Sequence, residues 1–116
     1  MFDDLLLPMF DDDYYPDILV AEIKQLIESF AKSIEKNATD VDIYRIADEL
    51  VIQVSKMKPQ FEDLDSSLDD TAADYIAEAM MMVVQAQGYM DIEMEELVAN
   101  REWWFTLFFY LIINKF

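Results

Sequence analysis

Apolar positions recur every three or four residues over three long stretches of this chain. In the first, Leu19, Ile23, Leu26, Ile27, Phe30 and Ile34 share one helical face. Tyr15 precedes a proline and so favours an extended backbone; Pro16 and Asp17 suit a helix start. Lys32 and Lys36 suit its last turns, and Asn37 is expected to end it. In the second stretch Ile43, Ile46, Ala47, Leu50, Val54 and Met57 form the stripe, with Thr39 or Asp40 as cap and Pro59 blocking continuation. The third runs through Ala73, Ile76, Ala77, Met80, Val83, Val84 and Gln87. Its start is predicted near Leu68, where Ser67 and Asp70 imitate a capping box. Gly88, the chain's one glycine, falls where a left-handed C-cap wants it, so that Tyr89 folds back on the helix.

The connecting segments carry their own signals. Pro8 and Pro16 interrupt helix in the first sixteen residues, which read as an extended leader. Leu5, Leu6, Leu7, Met9 and Phe10 are too apolar for a free tail, and the leader is expected to lie across a groove between helices. Residues 59–67 read as a polar loop with room for one helical turn, anchored by Phe61 and Leu64. A fourth helix is predicted from about Asp91, with Glu93, Glu95 and Glu96 in its opening turns. Whether it breaks near Asn100 or runs to Asn114 is open. The pattern describes one all-α domain, a compact bundle of four to five helices with an extended apolar N-terminal leader. Its parts are a leader (1–16), a helical body (17–103) and an aromatic segment (104–116).

Composition supports this picture. A chain of 116 residues that is 54% hydrophobic can fill a core despite its charge. One glycine and three prolines are too few for the turns of an all-β fold. With neither Cys nor His, disulfides, thiolate chemistry, His general-base catalysis and the commonest zinc sites are excluded. No cofactor is expected. The cytosol is the default compartment, since Met1-Phe2-Asp3-Asp4 has acid where a secretory signal needs base.

The net charge of −17 changes the picture most. Phosphate backbones and anionic membranes would repel this chain, whereas a basic protein surface would be steered onto it. The acids fall in clusters. Asp11, Asp12 and Asp13 follow Asp3 and Asp4 in the leader; Glu62, Asp63, Asp65, Asp69 and Asp70 crowd the middle loop; Glu93, Glu95, Glu96 and Glu102 crowd the last helix. If two clusters adjoin in the fold, they form a patch able to hold Arg and Lys of a partner. Otherwise they are a solvated, repulsive surface.

Against this acidity stands the end of the chain. From Trp103 to Ile113 every residue but Thr106 is aromatic or a large aliphatic. As a helix that run is about 16 Å long, too short for a hydrocarbon core of about 30 Å. Three readings stay open: a central helix, a homodimer or partner interface anchored by Trp103, Trp104, Phe108 and Tyr110, or a segment dipping into a membrane surface.

Two further patterns carry chemistry weakly. Asp63, Asp65, Ser67, Asp69 and Asp74 match positions 1, 3, 5, 7 and 12 of a calcium-loop template, but Leu68 stands at the sixth position, where the turn needs glycine, and Asp74 replaces the bidentate glutamate. The alternative is an acidic loop leading into a helix N-terminus. The pairs Asp74/Glu78 and Asp42/Glu49 have helical spacing, but an acidic bundle offers many such pairs, and a di-metal bundle would add Glu-x-x-His motifs. No catalytic or metal-binding residue is assigned.

The strings "DDDYYPDILVAEIKQLIE" and "QGYMDIEMEELVANREWW" resemble a family of small uncharacterised bacterial helical proteins, a domain of unknown function. The shared pattern falls on Tyr14, Tyr15, Pro16, Leu19, Val20, Gly88, Tyr89, Glu95, Glu96, Leu97, Arg101, Glu102 and Trp103, so the likeness covers residues 13–103. It implies a compact α-helical domain and brings no activity, cofactor or catalytic residue. Charge, inert side chains and resemblance together lead to the expectation of a non-enzymatic protein that neutralises a basic protein partner, most like a toxin-immunity protein. The alternatives are an oligomeric protein working through its aromatic segment and an inhibitor that mimics DNA.

Overall fold

A computed structural model describes residues 4–35 and 38–93. They form an all-α bundle, with no strand among the described residues. The helices are α1 (Leu7–Phe10), α2 (Asp17–Ser33), α3 (Asp40–Ser55), α4 (Lys58–Asp63) and α5 (Asp70–Ala86). The long helix α2 packs against α1, α3 and α5.

Helix α2 starts as its sequence predicts. The Pro16 carbonyl accepts the N–H groups of Leu19 and Val20, each at 3.0 Å. Leu19, Val20, Ile23, Ile27, Phe30 and Ala31 are buried, whereas Leu26 is only half-buried and faces a groove beside α3. The helix ends at Ser33 with Ile34 as its cap, earlier than Asn37, which lies outside the described residues.

Helix α3 opens on a capping box. Thr39 Oγ1 accepts the Asp42 N–H at 3.1 Å, and Asp42 Oδ2 accepts the Thr39 N–H at 3.3 Å. These bonds, the backbone one foremost, hold the Asp42 carboxyl below its ordinary range, and Arg45 adds to the effect. Val51, absent from the predicted stripe, is buried beside Ile43, Ala47, Leu50 and Val54.

The leader and the middle segment are more helical than their prolines suggest. Pro8 and Pro59 each sit in the first turn of a short helix, where the missing N–H would have had no helical partner. The leader is therefore not extended throughout: α1 makes one turn and buries Met9 fully, with Leu5 and Leu6 buried before it. In α4, Phe61 is fully buried, but Leu64 is 53% exposed and anchors nothing.

Helix α5 begins two residues later than the pseudo-capping box at Ser67 and Asp70 implies. Leu68 is a buried core residue, and Asp69 is the cap, its Oδ1 accepting the Ala72 N–H at 2.9 Å. The far end matches its sequence signal. Gly88 takes φ 91°, its N–H reaches the Gln85 carbonyl at 2.9 Å, and the Tyr89 N–H reaches the Val84 carbonyl at 3.2 Å. That bond pair is a Schellman motif. The chain then leaves helical geometry, so the fourth helix does not start at Asp91: residues 92 and 93 are non-helical. Ile92 is buried there, and the Glu93 N–H is held by the Tyr44 hydroxyl at 3.0 Å. The remainder of that predicted helix lies outside the described residues.

The hydrogen bonds fix the helix directions. At one end of the bundle Tyr15 binds Asp69; at the other Gln87 Nε2 donates to the Ala31 carbonyl at 2.7 Å. So α2 and α5 run parallel. Helix α3 returns antiparallel to α2, with Ile46 beside Ser33 and Lys56 beside Glu22.

Candidate acidic interface

The site is built on two consecutive tyrosines. Past α1, the Tyr14 N–H donates to Asp12 Oδ1 at 2.9 Å and the Tyr15 N–H to the Asp12 carbonyl at 3.1 Å. This local Asx turn folds the acidic run back before Pro16 starts α2. The two rings meet edge to face, with centroids 5.2 Å apart and planes at 74°. Tyr15 is buried, and its hydroxyl donates to Asp69 Oδ1 at 2.6 Å, the short length of a charge-assisted bond. Tyr14 is half-exposed, and its hydroxyl donates to Ser67 Oγ at 3.2 Å.

Asp69 therefore has two tasks with one oxygen: it caps α5 and receives Tyr15. Burial pushes the Tyr15 hydroxyl well above its ordinary value, and the Asp69 carboxylate adds to this through its hydrogen bond and its charge, with Asp12 contributing. The phenol stays a donor over the whole physiological range.

These contacts tie the stretch that follows one acidic cluster to the segment that carries another. Asp11, Asp12 and Asp13, all exposed, precede the two tyrosines, and the tyrosines' partners Ser67 and Asp69 lie between Glu62, Asp63 and Asp65 on one side in sequence and Asp70 on the other. Glu62, Asp63, Asp65 and Asp70 are exposed too, and Asp69 is half-buried. Neither residues 4–17 nor residues 59–70 include a Lys or Arg. Asp12 and Asp69 are occupied by internal bonds, so Asp11, Asp13, Glu62, Asp63, Asp65 and Asp70 supply the outward charge.

The other predicted site residues fall elsewhere. Glu93 is exposed at the opposite end of the bundle, beside Tyr44, and does not join the patch. Glu95, Glu96, Trp103, Trp104, Phe108 and Tyr110 lie outside the described residues. The calcium-like string does not form a cage: Ser67 and Asp69 serve the tyrosines, and no group of three acidic side chains among the described residues is placed to hold a metal ion. Of the carboxylate pairs, Asp42 and Glu49 flank one cation, Arg45, at 3.9 and 3.4 Å on an exposed surface.

A second concave feature runs between α2 and α3, as adjoining hollows of about 410 and 270 Å³ that share Leu26, Ser29 and Gln53. Its lining mixes apolar side chains such as Leu26 and Leu50 with amides and hydroxyls such as Gln53 and Ser29 and the charged Glu22, Glu49 and Lys56. No helix among the described residues is long and apolar enough to cross a membrane.

The family of unknown function DUF5713 matches residues 2–103. The chain belongs to that family. Neither the curated proteins nor the solved structures include a significant match. The DUF5713 match takes in residues 2–12 of the leader, which the resemblance of the two strings had left out, and ends with Arg101, Glu102 and Trp103, as the resemblance does. Of the residues that carry the resemblance, those described have structural work in this DUF5713 domain. Tyr14 and Tyr15 fasten the leader, Pro16 opens α2, Leu19 and Val20 fill the core, and Gly88 and Tyr89 close α5.

Proposed function

We propose that this DUF5713 protein is a non-enzymatic binding protein that takes a basic protein surface on the joined acidic face. Its outward charge comes from Asp11 and Asp13 on one side and Glu62, Asp63, Asp65 and Asp70 on the other. The observation that supports this reading is the pair of hydroxyl contacts, Tyr15 to Asp69 and Tyr14 to Ser67, which tether the residues after one acidic run to the segment that carries the other. Such a surface steers cationic partners and sets association rate more than residence time. A protein of this kind neutralises its partner by covering it, as a toxin-immunity protein does.

The test is capture from a bacterial extract at low salt with three immobilised proteins. One is the native chain. One carries Asp11→Asn, Asp13→Asn, Asp63→Asn and Asp65→Asn. The third loses the same charge elsewhere, through Glu22→Gln, Glu28→Gln, Glu35→Gln and Glu78→Gln. A basic protein held by the first and third but lost by the second is the expected result. Equal retention on all three, or no basic protein on any, would refute the reading.

A further inference from the structure

We propose that the face formed by α2 and α3 pairs with the same face of a second copy of the chain. The groove between these helices holds Leu26 and Ile46, which stay half-buried although each belongs to the apolar stripe of its helix. Beneath them Phe30 and Leu50, both buried, still line the hollow. A face of this kind gains from being covered, because apolar surface is removed from water.

Charge says what can cover it. The chain has 25 acidic and 8 basic residues, so two copies repel over much of their surfaces. Around this groove the charges are nearly balanced. Its acids are Glu22 and Glu49, its base is Lys56, and the other polar side chains that line it are amides and hydroxyls. A strongly acidic chain can meet its own copy on such a face without large repulsion.

The order of the charges selects the geometry. Glu49 and Lys56 are two helical turns apart on α3, on either side of the exposed Gln53. In a closed two-fold pair, residue i meets j and j meets i. If the two α3 helices cross antiparallel about Gln53, Glu49 of each copy meets Lys56 of the other, and one ion pair closes each end of the contact. A parallel crossing would set glutamate against glutamate and lysine against lysine. The crossing point falls where the two hollows share Leu26, Ser29 and Gln53, so both copies cover Leu26. Glu49 also meets Arg45 at 3.4 Å within its own chain, but both side chains are more than half exposed, where such a pair contributes little and yields readily. None of this depends on the acidic-face reading.

The experiment is sedimentation equilibrium of the full chain at about 0.15 M salt, where a screening length of about 8 Å removes long-range repulsion and spares charges in contact. The native chain should dimerise at concentrations up to about 1 mM. Glu49→Lys and Lys56→Glu should each weaken the pair at least about tenfold, because each turns both ion pairs into like-charge contacts. An equimolar mixture of these two variants should form a heterodimer as tight as the native pair, since opposite charges again meet at both ends. Glu78→Lys makes the same change of net charge on the exposed surface of α5 and should leave the native pairing as it is. Circular dichroism checks that each variant is folded; all three substitutions are at exposed positions. A native chain that stays monomeric overturns the proposal. So does a dimer that Glu49→Lys weakens no more than Glu78→Lys does, or a mixture that fails to recover.

Discussion

The two ends of α5 are each fastened by tyrosine hydroxyls, and they are fastened differently. At the C-terminal end, the Tyr89 hydroxyl donates to the Ile34 carbonyl at 2.7 Å and accepts the Ala38 N–H at 3.2 Å. Both partners are main chain, the carbonyl of the α2 cap residue and the N–H just before the α3 cap. At the N-terminal end, Tyr14 and Tyr15 bind side chains, and one of these is a carboxylate within a field of carboxylates. The partners of Tyr89 are uncharged, whereas Tyr15 binds a carboxylate. One residue type thus closes one end of the bundle through main-chain groups and the other through side chains.

The largest effect that would break this comparison is loss of the leader's apolar anchor. Met9→Ala removes a fully buried side chain and should cost about 2–5 kcal/mol in urea denaturation. A much smaller cost would mean that α1 is not packed as described. The tyrosine hydroxyls come next. Tyr15→Phe should cost about 1.5–3 kcal/mol, as expected for a bond to a charged group. Tyr89→Phe should cost about 1–3 kcal/mol because it orphans backbone groups. Salt should change the first cost and leave the second constant; equal salt responses would erase the contrast between the ends.

pH sharpens it further. The Tyr15 hydroxyl titrates above its unfolded value of 10.0. The stability it contributes is therefore fully present below about pH 10 and is lost as pH rises through the higher folded value. The stability gap between native chain and Tyr15→Phe should close in strong alkali.

Smaller effects test the bends. Gly88→Ala should cost about 1 kcal/mol, all of it backbone, since an added Cβ meets no atom within 4 Å. Asp65→Gly should stabilise by about 0.5 kcal/mol, the relief of a left-handed aspartate less the entropy of a glycine.

Spacing made the three long helices legible. Leu19 to Ile34 and Ala73 to Val84 keep helical period, and a lone glycine after such a run has few other uses. Short segments were less so. Pro8 and Pro59 read as interruptions because proline blocks a helix interior, yet each opens a new turn. The cap of α5 was misplaced because Ser67 and Asp69 are both good caps, and only the burial of Leu68 decides between them. The acids of the site were visible, but their meeting was not. Tyr15 and Asp69 are 54 residues apart, and no local pattern pairs them. The available clue was Tyr15 itself, an aromatic hydroxyl beside a core helix, which needs a buried partner.

The central claim is that location, not total charge, makes the acidic face. It is tested most directly by titrating a labelled nona-arginine peptide against the native chain and the two variants described above. Those variants carry the same net charge, one altered at Asp11, Asp13, Asp63 and Asp65 and the other at Glu22, Glu28, Glu35 and Glu78. At low salt the first should lose at least tenfold (about 1.4 kcal/mol) more affinity than the second. Equal losses would show that the peptide sees only net charge, and the joined face would have no special role.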